Sequence, residues 1–246
     1  RVQLKVFVTC LGEETEGGGA PHHKHEMTYS PAAGAPNDDN AAQIPAGSVG
    51  LVTATASCPS SPKQILVAPG FRLTADADVD VDPDDLTNPP VGLGRLFHSN
   101  LTNTAPTSPA NSWTWKFALG TASPANGGAA VEVSWRCLMI RVDKLPGGAA
   151  APDRHKLVKK VRSSTPTVGA NGFTSTDLTC GDHYKAVIGG FAIDPADVNA
   201  NLLFGSWKVW YLGMDPRPKL RHYRFLNTGA SDTVTTSVVC LNYRTT

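Results

Sequence analysis

Three segments of the chain share an alternation of apolar and polar residues that ends in Cys-Leu. They are residues 2–11 (VQLKVFVTCL), 131–138 (VEVSWRCL) and 234–241 (VTTSVVCL). In each segment one of the two parities is apolar up to the cysteine, with Thr236 as a polar interruption in the third. Because side chains alternate between the two faces of a strand, each segment is predicted to be a half-buried strand whose cysteine faces a core.

The segments that precede the second and third closing strands also correspond. Cys58 leads to Gly70-Phe71 as Cys180 leads to Gly190-Phe191. Downstream, residues 96–99 (LFHS) resemble residues 203–206 (LFGS), and residues 115–117 (WKF) resemble residues 223–225 (YRF). Internal similarity of this kind indicates tandem repeats. We therefore divide the chain into two complete units, residues 12–140 and 141–246, preceded by a leftover closing strand in residues 1–11.

The turn residues set the expected fold class. The 246 residues include 23 Gly and 19 Pro, with abundant Thr, Ser and Asn, which favours short strands joined by many turns over long helices. The chain is long enough for two ordinary domains. We predict an all-β protein of two tandem antiparallel β-sandwich units, Ig-like or jelly-roll-like.

Composition and charge exclude several partner classes. Hydrophobic residues make up 41% of the chain and charged residues 17%, and the formal net charge is +1. A nearly neutral chain has no electrostatic attraction for a phosphate backbone, so we expect no nucleic acid partner. No apolar run approaches the roughly 20 residues that cross a bilayer, so we expect no membrane span.

The five cysteines fall as one opening and one closing cysteine in each complete unit, with Cys10 left over. Pairing within each unit predicts the disulfides Cys58–Cys137 and Cys180–Cys240. The alternative is that these residues are free, buried thiols that act as small hydrophobes. Persistent disulfides indicate an oxidising location, which here means extracellular, cell-surface or virion-surface.

The leftover strand needs a partner, because an unpaired apolar strand promotes aggregation. It packs into the sheet of the first complete unit, or it adds to another subunit's sheet by β-augmentation. The candidate intersubunit residues are Val2, Leu4, Val6, Val8 and Cys10.

One acidic row is the candidate metal site. Alternation places four carboxylates on one face of an extended segment, and such a row repels itself unless a cation lies on it: Asp76, Asp78, Asp80 and Asp82. Calcium prefers hard oxygen ligands of this kind. The alternative is a solvated acidic loop without metal, and we predict no other cofactor.

Aromatic residues offer the candidate ligand platform: Trp113, Trp207, Trp210 and Tyr211. If exposed, they would stack on sugar rings or form a protein interface, and the alternative is that they belong to a core. Nucleophile elbows and phosphate-binding glycine loops are missing from the sequence, so we expect no enzyme activity. Asn100-Leu101-Thr102 is a glycosylation sequon.

The second unit resembles uncharacterised, disulfide-bracketed β repeats of secreted bacterial surface proteins and phage structural proteins. The resemblance lies in residues 180–191 (CGDHYKAVIGGF), 212–218 (LGMDPRP), 223–227 (YRFLN) and 239–241 (VCL). The first unit departs from the pattern, with Ala68-Pro69-Gly70 in place of Gly-Gly and a longer Asp- and Pro-rich insertion. The resemblance implies a fold and a compartment but no role for any single residue.

These observations together predict a non-catalytic structural component of an extracellular or virion-surface assembly, such as a filament, a surface layer or a phage decoration or tail protein. Its partners would be other protein subunits, by self-assembly or within a larger complex. The alternative is a carbohydrate- or cell-surface-binding adhesion module, with glycans as partners.

Overall fold

The computed structural model of the chain describes residues 14–15, 23–24, 27–30, 42–44, 50–60, 64–74, 94–119, 130–144, 150–193, 207–214, 219–227 and 231–245. Every regular element in these ranges is a β-strand, which confirms the all-β prediction. In the same ranges no helix is long and apolar enough to cross a membrane.

The strands are, in chain order, β1 (Glu14–Thr15), β2 (His23–Lys24), β3 (Met27–Ser30), β4 (Ala42–Ile44), β5 (Gly50–Ser57), β6 (Gln64–Thr74), β7 (Gly94–Leu101), β8 (Ser112–Leu119), β9 (Ala130–Met139), β10 (Arg141–Lys144), β11 (Ala150–Ser164), β12 (Thr167–Val168), β13 (Gly172–Thr179), β14 (Lys185–Ile193), β15 (Trp207–Met214), β16 (Leu220–Asn227) and β17 (Asp232–Thr245).

These strands form four antiparallel sheets. The largest has eight strands. Seven follow the order β10-β11-β17-β14-β7-β8-β5, and the eighth, β12, pairs with β17. A four-stranded sheet has β9 at its centre, paired with β3, β4 and β6, and a three-stranded sheet has the order β13-β16-β15. Strands β1 and β2 form a separate two-stranded sheet.

Burial follows the alternation that the sequence predicts. In β8 the side chains of Trp113, Trp115 and Phe117 are all buried. In β5, Ala54 and Ala56 are buried, whereas Thr53, Thr55 and Ser57 are exposed. β5 therefore presents one face to the interior, as expected for a half-buried strand with a period of two, whereas β8 also buries Thr114 on its other face.

Two hydrophobic clusters fill the interior. The first draws on β5, β6, β8 and β9 and also includes Val161, Ile188 and Val239 from the second half of the chain. The second draws on β13, β14, β16 and β17 and includes Phe97 of β7. Side chains from the two halves thus mix in both clusters.

The pairing of β7 with β14 joins the two predicted units in one sheet, since β7 lies in residues 12–140 and β14 in residues 141–246. The division into these two units stays a prediction. The leftover strand of residues 1–11, including Val2, Leu4, Val6, Val8 and Cys10, lies outside the described residues.

Candidate functional site: the junction of β7 and β14

Both predicted disulfides are present, and each one joins two sheets. Cys58 directly follows β5 of the eight-stranded sheet and is bonded to Cys137 in β9 of the four-stranded sheet. Cys180 directly follows β13 of the three-stranded sheet and is bonded to Cys240 in β17. The bonds close loops of 79 and 60 residues. By the chain-entropy model each stabilises the fold by about 4 to 5 kcal/mol.

The two halves of the chain meet where β7 pairs with β14. Ser99 is the partner of Phe191, and His98 is the partner of Ala192. Gly190 lies so close to β7 that a Cβ atom there would be 2.6 Å from Asn100 Oδ1 and 2.7 Å from Ser99 O. Only glycine fits this approach, because any side chain would collide with the backbone of the neighbouring strand.

A buried polar network crosses this junction. Asn100 Oδ1 accepts hydrogen bonds from the Ser237 hydroxyl and from the Leu101 N–H, the latter at 2.9 Å. The Tyr223 hydroxyl donates to Ser237 O at 2.6 Å. Asn100, Ser237 and Tyr223 are each 1% exposed. Such a network is costly to break, because a buried group left without its partner loses its hydration without compensation.

Tyr223 and Arg221 hold β16 against β14. The Arg221 guanidinium donates to Val187 O at 3.0 Å, at the β-bulge where the register with β17 shifts. A Cβ on Gly189 would lie 2.6 Å from the Tyr223 hydroxyl oxygen, so Gly189 makes room for that hydroxyl. Burial raises the pKa of Tyr223, which therefore stays a neutral donor, and burial lowers the pKa of Arg221.

His98 is a third titratable group at the junction, and it lies on β7. Burial, and secondarily the charge of Lys116 on β8, lowers the pKa of His98 to about 4. The imidazole is therefore neutral at pH 7, and its buried Nε2 makes no hydrogen bond within the described part of the chain. A neutral, half-buried ring suits a strand junction, since a charged one would lose hydration there.

Elsewhere, His222 Nδ1 lies 2.7 Å from Asp177 Oδ1 in an exposed pair on directly opposite residues of β13 and β16. Among the described residues there is no group of three or more His, Cys, Asp or Glu side chains that would hold a metal ion. The predicted calcium residues Asp76, Asp78, Asp80 and Asp82 lie outside the described residues.

The ligand platform predicted for Trp113 is wrong. Trp113 is 1% exposed, and its indole N–H donates to Ser99 Oγ at 3.1 Å. It belongs to the first hydrophobic cluster, as the core alternative predicted. Trp207, Trp210 and Tyr211 lie in β15, but their side chains are not among the described ones, so their platform role stays a prediction.

The sequence marks Asn100 as the first residue of a glycosylation sequon, and its place in the buried network is not apparent from that motif. The side chain is buried and accepts two hydrogen bonds, so a glycan on Asn100 is incompatible with the folded chain. The sequence does carry one signal of this role: Ser-Asn-Leu stands at the end of an apolar strand, and a polar residue that is buried there needs an internal hydrogen-bond partner.

Comparison of the chain with protein-family models, with curated proteins and with solved structures found no match.

Proposed function

We propose that the chain is a non-catalytic structural component of an extracellular or virion-surface assembly, built from two equivalent β-sandwich units. In this proposal the first unit comprises β3 to β9 and the second comprises β11 to β17. The proposal rests mainly on the correspondence between the pairing schemes of the two halves.

The sheets of the two units correspond strand by strand. β9 pairs with β3 and β4 on one edge and with β6 on the other, and β17 pairs with β11 and β12 on one edge and with β14 on the other. β8 lies between β5 and β7 as β16 lies between β13 and β15. Two such antiparallel sheets around one apolar cluster correspond to a β-sandwich.

The correspondence extends to single hydrogen bonds. The N–H of each opening cysteine donates to the residue that precedes the sixth strand of its unit, from Cys58 to Asn111 O at 2.7 Å and from Cys180 to Lys219 O at 2.9 Å. Each unit also has a register shift at the same place, in β7 against β8 and in β15 against β16. This repeated register is the observation that carries the proposal, because tandem copies of one non-catalytic module are typical of scaffolding proteins.

The two disulfides support an oxidising location, since such bonds do not persist in a reducing cytosol. They occupy equivalent places in the two units, so the stabilisation is a property of the module. A disulfide-stabilised module of this kind is suited to an assembly outside the cell, where chaperones do not refold damaged proteins.

The test of the proposed function is the mass of the purified, oxidised chain in solution. Light scattering after size-exclusion chromatography, with electron microscopy of the same fractions, should show particles larger than one chain at high concentration. A chain that stays monomeric throughout and instead binds a glycan array would overturn the structural proposal in favour of an adhesion module.

A further inference from the structure

The junction of β7 and β14 uses edges that recur elsewhere in the chain. By the correspondence above, β15 is the second unit's equivalent of β7, and β6 is the first unit's equivalent of β14. Among the described strands β15 pairs only with β16, and β6 pairs only with β9. The chain therefore has, at one end, a copy of the edge that β7 offers and, at the other end, a copy of the edge that β14 offers.

Phe71 and Phe191 show what is missing at the β6 edge. Phe71 is the partner of Val133 in β9, as Phe191 is the partner of Thr236 in β17. The rings make equivalent contacts in their own units, Phe71 with Phe117 at 5.5 Å between centroids and Phe191 with Phe225 at 6.1 Å. Yet Phe71 is 46% exposed, whereas Phe191 is 3% exposed.

Phe191 is more buried than Phe71 because the neighbouring unit covers Phe191. Phe97, at the register shift of β7, is 1% exposed and belongs to the same cluster as Phe191. The first unit thus inserts an aromatic ring from its β7 edge into the core of the second. No equivalent ring covers Phe71 among the described residues. The position equivalent to Phe97 is Trp210, at the register shift of β15.

We propose that β15 of one chain pairs with β6 of a second copy of the same chain and repeats the β7–β14 junction between molecules. The internal pairs Phe191–Ser99 and Ala192–His98 define the intermolecular register: Phe71 pairs with Leu212, and Arg72 pairs with Tyr211. By the same register, Trp210 occupies the backbone position in β15 that Phe97 occupies in β7. Gly213 stands at the position of Asn100, so no side chain obstructs the approach to Gly70.

This interface rests on the proposed structural function and gives it a geometry. The two surfaces are different, so the contact is heterologous, and repeated addition produces an open filament or, if the rotation closes, a ring. Edge pairing of this kind is β-augmentation, with the backbone supplying hydrogen bonds and the aromatic residue supplying specificity.

The experiment compares three lysine variants of the full, oxidised chain by sedimentation velocity. Phe71→Lys blocks one edge and Trp210→Lys blocks the other. Phe173→Lys is the matched control, because Phe173 is also a large exposed apolar residue, at 52%, but lies on β13 away from both edges. Circular dichroism and intact disulfides establish that each variant folds.

We expect the mass of the parent chain and of the Phe173→Lys variant to rise with concentration between about 10 μM and about 1 mM, the range of small interfaces. Each edge variant should need at least tenfold more protein for the same degree of association. An equimolar mixture of the two edge variants should stop at a dimer, since each retains the edge that the other has lost. Recovery of that dimer would also show that both variants are folded.

A register-specific cross-link gives a second readout. In a Cys10→Ser background, a mixture of Phe71→Cys and Leu212→Cys chains should form an interchain disulfide on oxidation, because cross-strand partners lie at disulfide distance. A mixture of Phe173→Cys and Leu212→Cys chains should not.

The outcomes separate the two proposals. If the chain assembles but neither edge variant weakens association and no register-specific cross-link forms, the head-to-tail interface is wrong and the structural function stands. If every form remains monomeric over the whole concentration range, both are overturned.

Discussion

Replacing Gly190 by alanine would place a methyl group between β14 and β7. The added Cβ would lie 2.6 Å from Asn100 Oδ1, 2.7 Å from Ser99 O and 2.8 Å from Asn100 Cα. Two of these three atoms belong to the backbone of β7, so a side-chain rotation does not relieve the contact and the strands must separate. Overpacking costs about 1 to 3 kcal/mol. We expect about 2 to 3 kcal/mol, because separation also disturbs the buried Ser237–Asn100 hydrogen bond.

Urea unfolding followed by tryptophan fluorescence measures this cost. Gly169→Ala is the matched control, since a Cβ at Gly169 would meet nothing within 4 Å. That substitution should leave the free energy of unfolding unchanged or raise it by up to about 1 kcal/mol, by restricting the unfolded chain. Equal unfolding midpoints for the two variants would show that β7 and β14 do not approach as closely as described, and the junction would need another explanation.

Three further predictions concern stability and modification. Replacing both cysteines of either disulfide by alanine should lower the free energy of unfolding by about 4 kcal/mol. The loss should be similar for the two bonds, because the closed loops are of similar length. Unequal losses in urea titrations would contradict the entropic account of the stabilisation. Burial and Lys116 lower the pKa of His98 to about 4, from 6.5 in an unfolded chain, so between these values the unfolded state binds a proton that the folded state does not. The free energy of unfolding should therefore fall as the pH drops from 7 to 4, by at most about 3 kcal/mol and by less where solvent screens the ring. The His98→Gln variant should lose that part of the pH dependence. Parallel curves of unfolding free energy against pH for the two proteins would refute this prediction. In a glycosylating host, the intact mass of the folded fraction should show no glycan on Asn100, and a glycosylated folded chain would contradict its burial.

The strands and the disulfides could be predicted because both leave strong local signals. Alternation over Trp113, Trp115 and Phe117 places three apolar side chains on one face, and burial of that face is the dominant favourable term in folding. The cysteine pairing followed from the recurrence of an opening and a closing cysteine in equivalent segments.

The junction could not be predicted, because strand pairing between distant segments depends on backbone hydrogen bonds that any residue supplies. The register of the equivalent strands in the two units could not be predicted for a related reason. The predicted equivalence of residues 96–99 with residues 203–206 stays a prediction, since residues 203–206 lie outside the described residues. Under the proposed strand correspondence, the register with β8 and β16 aligns Leu96 and His98 with Val209 and Tyr211. The similarity between LFHS and LFGS suggests a different alignment, because the segments between strands differ in length in the two units. A one-residue bulge also gives no signal in the amino-acid composition.

The contrast between Phe71 and Phe191 also sets how strongly separate chains should associate. Covering the exposed 46% of Phe71 contributes about 1 kcal/mol, and an aromatic ring that becomes fully buried on pairing contributes about 2 to 3 kcal/mol more. A micromolar dissociation constant requires about 8 kcal/mol after the loss of translational freedom. Within one chain the same contacts suffice, because a short connection supplies an effective concentration near the millimolar range. Backbone hydrogen bonds along the paired edges add to these contributions, so we expect free chains to associate weakly, with dissociation constants toward the upper end of the range of about 10 μM to about 1 mM. Association should become stronger where neighbouring chains are held close together, as on a surface or along a growing filament.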